Sequence, residues 1–244
     1  MPSGLRWEYD VIFSTDGKVL VPGIFAAPGD WIPALTMFDE DGEILWSRSY
    51  EGHAFWFFGS YCQLVELDNG HFAMVFVSDN TMHTIIYVID ENGDIVDTKS
   101  INRSDDAPTL RQVIKCSDGG LMIVGTEGDG PGATPFAIKL NADLVEEWRW
   151  LMEVSNEERR AINTVVELDN AYYLGVSELV HISNNRWDLV KLDNTGEEIF
   201  VRPYSGDGVN PELVFDLIRS HDNQLVVAGR NEQKIFLQKT QSYG

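Results

Sequence analysis

The sequence predicts an all-β fold, a five-bladed β-propeller with four antiparallel strands in each blade, on three observations. A short motif, an Asp turn followed by an apolar run, recurs five times, with its Asp at positions 16, 68, 118, 169 and 222. Apolar runs of strand length alternate with Gly or Asn turns along the chain, and helical periodicity is missing. Repeats of about 40 to 50 residues with several strands each are typical of propeller blades.

The second repeat shows the strand pattern most plainly. Strands are predicted over residues 61–67, 72–77, 84–89 and 95–101, with Asn-Gly turns at Asn69-Gly70 and Asn92-Gly93. Equivalent fourth strands are predicted over residues 44–50, 145–151 and 199–204. The last repeat has predicted strands at 213–219, 224–229 and 235–240 and then ends.

The repeats predict one domain over residues 1–244, because a single blade cannot bury both of its faces alone. They span residues 10–50, 60–101, 110–151, 161–204 and 213–240. Residues 5–9 match the pattern of the fourth strand at Ile44. We therefore predict that an N-terminal strand, Leu5 to Tyr9, completes the last blade by pairing with residues 235–240, which would leave no open sheet edge.

The charge of the chain restricts its partners. There are 39 acidic and 18 basic residues, for a net charge of −21, and no basic stripe, so nucleic acid is not expected to bind. No apolar run approaches the ~18 residues of a membrane span, so membrane insertion is not expected. The first residues lack the pattern of a signal peptide, and the compartment stays open. The acidity either keeps a strand-rich protein soluble or serves a cation or a basic partner.

Two cysteines, Cys62 and Cys116, are too few for a disulfide framework. Counted from the marker Asp residues, they differ by about four strand positions, or roughly 13 Å along a strand. We predict two buried, unpaired thiols.

Several repeats resemble a known group of proteins. Residues 117–126, SDGGLMIVGT, resemble the repeat signature of bacterial and archaeal surface and secreted propellers. Residues 136–140, FAIKL, and 188–193, DLVKLD, resemble the next strand of these repeats, and residues 39–46, DEDGEILW, resemble a closing motif shared with quinoprotein-like and WD40-like propellers. The resemblance spans nearly the whole chain. It implies a propeller fold, a role in binding or display, and an extracellular or cell-surface setting.

The first candidate site is the polar lining of the propeller channel, which the first strand of each blade would form. The position six residues before each marker Asp holds a polar side chain or a thiol: Asp10, Cys62, Gln112, Asn163 and Asp216. The position four residues before each marker Asp holds an aliphatic side chain. Closure would make the blades of Asp10 and Asp216 adjacent. Their oxygen atoms, with those of Gln112 and Asn163, would suit a hard cation such as calcium. The alternative is a water-filled channel without a ligand.

The second candidate site is aromatic and lies in the long loops. It comprises Trp31 and the run Phe55, Trp56, Phe57 and Phe58. An exposed run of this kind would offer a platform for a sugar ring or a protein groove. The alternative is that it fills the ends of the first two blades.

Motifs of catalysis are missing: the sequence has no HExxH, GxSxG or P-loop pattern, and its five histidines do not cluster. We therefore expect a non-catalytic module without a cofactor that binds protein or glycan at a cell surface or in an assembly. Two alternatives stay open. One is a structural subunit of a filament or particle that self-assembles. The other is a glycoside hydrolase, whose paired carboxyls, about 5 to 10 Å apart, would come from Asp10, Glu66, Glu167 and Asp216.

Overall fold

A computed structural model gives the fold of the chain. It describes residues 5–8, 10–27, 30–53, 62–78, 81–101, 108–128, 132–178, 186–205, 213–231 and 234–239. Over these residues there are 20 β-strands and no helix, and hence no helix with the length and apolar character needed to cross a membrane. The chain divides into two compact units, Met1–Lys115 and Cys116–Gly244, called here unit 1 and unit 2.

The strands follow one another with short connections. Those of unit 1 are β1 (Leu5–Glu8), β2 (Ile12–Phe13), β3 (Val19–Ala27), β4 (Asp30–Phe38), β5 (Ile44–Ser49), β6 (Gln63–Glu66), β7 (Phe72–Val77), β8 (Thr84–Ile89), β9 (Ile95–Ile101) and β10 (Pro108–Lys115). Those of unit 2 are β11 (Leu121–Glu127), β12 (Thr134–Leu140), β13 (Glu146–Leu151), β14 (Arg160–Leu168), β15 (Ala171–Glu178), β16 (Arg186–Asp193), β17 (Glu198–Ser205), β18 (Leu213–Arg219), β19 (Leu225–Asn231) and β20 (Lys234–Lys239).

The strands form five sheets in chain order. Sheet 1 has the order β1-β3-β4-β5 with β2 also on β3, and sheets 2, 3 and 4 have the orders β6-β7-β8-β9, β10-β11-β12-β13 and β14-β15-β16-β17. Sheet 5 has three strands, β18-β19-β20. The prediction of an all-β fold with four-stranded antiparallel sheets is confirmed, and the strands predicted at 72–77, 84–89 and 95–101 have the bounds of β7, β8 and β9.

The prediction for the N-terminal strand is wrong. β1 pairs with β3 in sheet 1, with Leu5 opposite Phe25 and Glu8 opposite Gly23. β3 is nine residues long, whereas β2 covers only Val19 and Leu20. β1 lies just upstream of β2 and pairs with the remainder of β3. This local pairing closes a far shorter loop than pairing with β20 would, and it therefore costs less chain entropy.

Each unit has a hydrophobic core where successive sheets pack. In unit 1 the cluster joins sheets 1 and 2 through side chains such as Leu20, Met37, Phe72 and Tyr87. In unit 2 a cluster joins sheets 4 and 5 through Leu189, Val214, Leu217 and other residues. Burial of this apolar surface is the main stabilising contribution to stacked sheets of this kind.

Candidate functional site

The hairpin that follows the first strand of each sheet determines which first-strand residues are equivalent. In sheets 1, 2 and 3 it is closed by a backbone hydrogen bond, from Ser14 to Lys18, from Leu67 to His71 and from Cys116 to Gly120. Three residues lie inside each hairpin, so Asp16 and Asp118 are second in their turns, whereas Asp68 is first. Counting from the Asp therefore shifts sheet 2 by one residue, which reverses the face on which a strand residue lies.

This shift places Cys62 differently from the sequence-based expectation. Cys62 is fully buried in the core cluster of unit 1 together with Leu64, and Gln63 is the residue equivalent to Asp10 and Gln112. Cys116 is buried in unit 2, as expected for an unpaired thiol. Burial raises the pKa of both thiols, that of Cys116 to about 12 even though a hydrogen bond with Tyr172 opposes the shift.

Two of the predicted channel residues, Asp10 and Gln112, are half-buried in unit 1. The Asp10 carboxylate accepts a hydrogen bond of 2.9 Å from the backbone nitrogen of Val11. Burial raises the pKa of Asp10 above its ordinary value, although backbone hydrogen bonds from Val11 and Leu64 oppose the shift. Asp10 is thus a desolvated carboxyl held mainly by backbone groups.

The other two predicted channel residues, Asn163 and Asp216, connect the first strands of sheets 4 and 5. Asn163 Nδ2 donates to Ser177 Oγ at 3.0 Å and to the Val214 carbonyl at 2.8 Å. Asp216 Oδ1 accepts hydrogen bonds from Thr164 Oγ1 at 3.0 Å and from its neighbouring backbone nitrogen at 2.9 Å. Both side chains therefore have a structural role in unit 2, whatever else they bind.

The calcium site stays a prediction. Asp10 belongs to unit 1 and Asp216 to unit 2. In the part of the chain that the structure describes, no group of three or more His, Cys, Asp or Glu side chains is arranged to hold a metal ion.

Of the aromatic candidates, Trp31 lies in β4, where it is half-buried and packs against the core cluster of unit 1. The run Phe55, Trp56, Phe57 and Phe58 lies outside the described residues.

A pocket of about 250 Å³, which we call the hairpin pocket, opens in unit 1 at the hairpin ends of sheets 1 and 2. Its lining combines acidic side chains, one lysine and an apolar surface: Thr15, Asp16, Lys18, Met37, Glu66, Gly70, Phe72 and Glu91. Met37 and Phe72 belong to the core cluster, so the apolar part of the lining is rigidly supported.

The hairpin of sheet 1 fixes the lysine and one carboxylate of this pocket. Ser14 Oγ donates to Asp16 Oδ1 and accepts from the Lys18 backbone nitrogen, and Lys18 Nζ forms an ion pair of 2.8 Å with Asp16. Hydrogen bonds from Lys18 and Ser14 lower the pKa of Asp16. The hydrogen bond to Asp16 raises the pKa of Lys18, and the nearby charge of Glu91 adds to this effect. Both groups are therefore ionised at neutral pH.

Sheet 2 supplies the other two carboxylates. Glu66 Oε2 accepts hydrogen bonds from Thr15 N at 2.8 Å and Thr15 Oγ1 at 2.9 Å. Glu91 is exposed in the turn between β8 and β9, where its backbone carbonyl accepts a hydrogen bond from Trp46 Nε1 at 2.9 Å. Across the described residues, neither Glu66 nor Glu91 forms a direct ion pair, although the charge of Lys18 is near Glu91. The three carboxylates of the pocket therefore outnumber its one lysine.

The sequence reasoning did not find the hairpin pocket, because its residues come from three turns that are far apart in the chain. The position of Glu66 in a first strand indicates a channel carboxylate, not a residue of a turn pocket. A usable signal was present: the turn segments at 15–18 and 90–94 and the strand end at Glu66 are all charged, and the repeat brings equivalent turns to one end of successive sheets.

A second cluster of charges lies in unit 2, and its central pair is buried. Arg160 and Asp188 form a close ion pair with almost no exposure, and Arg160 Nε also contacts Glu158 at 3.1 Å. Arg186 pairs with Glu178 at 3.0 Å. Removing one partner of the buried pair Arg160–Asp188 would leave an uncompensated buried charge, so this pair links the strands of unit 2.

Comparisons with known proteins show the fold. No protein-family model and no curated protein sequence matches this chain. The structure is similar to a glucose dehydrogenase, with a TM-score of 0.58, 10% identity and coverage of 98% of this chain and 84% of that one. It is also similar to an endo-arabinase from Bacteroides thetaiotaomicron, with a TM-score of 0.52, 13% identity and coverage of 99% and 95%.

A third similar structure is a GH43 β-1,3-galactosidase, with a TM-score of 0.51, 10% identity and coverage of 95% of this chain and 89% of that one. These are β-propeller-type folds, and at such low identity the likeness concerns the fold alone. The chain therefore has a propeller-type all-β fold.

Proposed function

We propose that this chain is a five-bladed propeller module that has no catalytic activity and binds a protein partner through the hairpin pocket, at a cell surface or in an assembly. The five sheets in chain order support the blade count. The observation that carries the proposed function is the pocket itself, whose lining combines three carboxylates and one ammonium group with the edges of the Met37 and Phe72 side chains. A small concave site with an apolar base and a few placed charges is typical of specific recognition.

The carboxylates of the pocket are arranged for binding more than for proton transfer. A general acid needs a pKa near the working pH. The pKa of Asp16 is instead lowered by Lys18 and Ser14, and Glu66 is held by two hydrogen bonds from Thr15. Asp16 therefore stays charged and Glu66 is held in place, which suits electrostatic recognition.

A glycoside hydrolase is the second candidate, and one observation favours it. Asp10 is a half-buried carboxyl whose pKa is raised by burial, as the general acid of such an enzyme requires. The endo-arabinase and the β-1,3-galactosidase share the fold class of the chain. Against this candidate, the unit 1 positions equivalent to Asp10 hold Gln63 and Gln112, and an amide cannot act as acid or base.

A panel of probes distinguishes the two functions. The isotope-labelled full chain is mixed in turn with acidic, basic and apolar tripeptides and with arabinan and β-1,3-galactan oligosaccharides, and amide chemical shifts and released sugars are measured. We expect at least one peptide class to shift the amides of Thr15, Lys18 and Gly70, and no sugar to be released. Hydrolysis of either glycan, or no peptide-dependent shift at these amides, would overturn the proposal.

A further inference from the structure

The place in unit 2 that corresponds to the hairpin pocket holds an ammonium group of the chain itself. Leu20 and Met122 each lie two residues after the residue that closes their hairpin, so they are equivalent. Leu20 pairs with Met37 and Met122 pairs with Lys139, and Lys139 therefore takes the position of Met37. The Lys139 side chain is 1% exposed, and its Nζ contacts Asp118 Oδ2 at 2.6 Å, the Leu140 carbonyl at 2.9 Å and Glu147 Oε2 at 3.2 Å. The repeat unit can therefore bury a primary ammonium group at this place.

The space for that ammonium group comes from Gly120. A Cβ atom added at Gly120 would lie 2.7 Å from Lys139 Nζ. In unit 1 the residue equivalent to Gly120 is Lys18, which pairs with Asp16 of the same hairpin. The shorter Met37 takes the place of Lys139. The hairpin pocket therefore lacks the long side chain that Lys139 places at the equivalent position of unit 2.

Two further differences enlarge the pocket and make it more acidic. Tyr172, whose hydroxyl bonds with Cys116 in unit 2, corresponds to Phe72, which has no hydroxyl. The backbone carbonyl of Asn194 accepts a hydrogen bond from Trp148 Nε1, and that of Glu91 accepts one from Trp46 Nε1. Asn194 therefore corresponds to Glu91. Unit 1 therefore has a carboxylate where unit 2 has a neutral amide.

These differences leave an open volume with an excess of negative charge. Lys18 is already paired with Asp16, whereas Glu66 and Glu91 have no ion-pair partner among the described residues. The apolar part of the lining consists of the edges of the Met37 thioether and the Phe72 ring, which are otherwise buried in the core and favour contact with an aliphatic chain. The complementary ligand is thus an aliphatic stem that ends in one positive charge.

We propose that the hairpin pocket binds a primary alkylammonium group, namely the side chain of a lysine presented by the partner protein. This inference rests on the proposed function, since it names the chemistry that the same pocket recognises. The stem packs on Met37 and Phe72, and the ammonium group is shared by the carboxylates of Glu66 and Glu91. A free alkylamine carries the same chemistry and is separated from a protein lysine by the probes below.

The test uses the full chain labelled with ¹³C at the methionine methyl groups, and the Met37 methyl resonance, assigned with Met37→Leu, is the readout. The probes are Nα-acetyl-lysine N-methylamide, the same compound acetylated at Nε, and n-butylammonium. We expect the lysine amide to shift the Met37 methyl saturably and the Nε-acetylated compound to leave it unchanged. Glu91→Gln should weaken binding about fivefold or more through the loss of one charge contact.

Glu40→Gln is the matched control, because Glu40 stands in the equivalent turn of sheet 1 outside the pocket and is exposed. It should leave binding unchanged. Equal binding of the Nε-acetylated compound would overturn the inference but not the proposed function, which the peptide panel tests separately. Binding of n-butylammonium without the lysine amide would overturn the assignment to a protein lysine, and no shift with any probe would overturn the inference as a whole.

Discussion

The carboxylate of Glu66 accepts two hydrogen bonds from Thr15 in the hairpin of the preceding sheet, at 2.8 Å from the backbone nitrogen and 2.9 Å from Oγ1. In unit 2, Glu167 makes the same contact with the backbone nitrogen of Ser117 at 2.7 Å. A glutamate at the end of one first strand thus satisfies a backbone N–H group in a neighbouring hairpin. These charge-assisted bonds hold successive hairpins together, and in unit 1 they form one wall of the hairpin pocket.

Glu167→Ala should lower the free energy of unfolding by about 1–2 kcal/mol, because it leaves the Ser117 backbone nitrogen without its charged acceptor. Urea unfolding measures the change. Glu198→Ala, at an exposed position of β17, is the control and should change stability by less than about 0.5 kcal/mol. Equal losses in the two variants would show that the Glu167 contact does not stabilise the fold.

Lys139→Met should destabilise unit 2 by about 1–3 kcal/mol, since it removes a buried ammonium group that contacts Asp118, Glu147 and the Leu140 carbonyl. Lys99→Met is the control, because Lys99 forms an ion pair with Asp97 that is largely exposed. Exposed pairs contribute about 0–1 kcal/mol, so the control should unfold nearly as the parent does.

The effect of Lys139→Met should depend on pH. Burial alone would lower the pKa of Lys139, but its bonds to Asp118 and Glu147 outweigh burial and raise it; burial would raise the pKa of Asp118, but Lys139 lowers it. Because the pKa of Lys139 is raised, its contribution to stability is complete below the ordinary lysine pKa of about 10.4 and is lost at higher pH. Because the pKa of Asp118 is lowered, its contribution is complete above the ordinary aspartate pKa of about 3.9 and is lost at lower pH. The stability difference between parent and variant should therefore be largest between these limits. A difference that stays constant into acid would contradict the ion-pair account.

Gly196→Ala should be more destabilising than Gly42→Ala. Both glycines have positive φ, +84° and +82°, so each substitution carries a backbone cost of about 1–2 kcal/mol. At Gly196 the added Cβ would also lie 2.6 Å from the ring of Trp148, whereas at Gly42 nothing lies within 4 Å. Differential scanning calorimetry should show the lower Tm for Gly196→Ala. Equal Tm values would mean that the Trp148 ring leaves room for a Cβ atom at position 196.

Deletion of residues 1–9 tests the pairing of the N-terminal strand. Because β1 pairs with β3, those backbone amides between Gly23 and Phe25 that point to β1 should lose hydrogen-exchange protection in the shortened chain, while those that point to β4 keep it. The amides of Ile235 and Leu237 on β20 should exchange as in the parent. The reverse pattern would restore the sequence-based prediction that Leu5 to Tyr9 completes the last blade.

The repeat and its turns predict most of the secondary structure, since apolar runs and Asn-Gly turns are local signals. Strands β7, β8, β9 and β18 have the predicted bounds. The partner of the N-terminal strand could not be read in this way. The pattern of residues 5–9 does not specify a partner strand, and the pairing with β3 depends on how much of β3 is left unpaired by β2.

The predicted register of the first strands was wrong in sheet 2 for a different reason. The marker Asp stands second in the hairpins of sheets 1 and 3 but first in that of sheet 2, and one residue of error reverses the face of Cys62. In sheet 4 the turn is only two residues long, with Asp169 and Asn170 both at positive φ, which a count from the Asp cannot detect. The hairpin pocket depends on this register and on side chains from three turns, so it was not predicted.

The central claim is that the hairpin pocket is the binding site, and calorimetric titration of one lysine-containing peptide against three proteins tests it most directly. The proteins are the parent, Glu91→Arg and Glu40→Arg, whose substituted residues occupy equivalent exposed turn positions. Charge reversal at Glu91 should weaken binding at least about tenfold, because it places a cation at the mouth of the pocket, whereas Glu40→Arg should bind like the parent. Equal affinities for all three proteins, or equal losses in both variants, would contradict the claim.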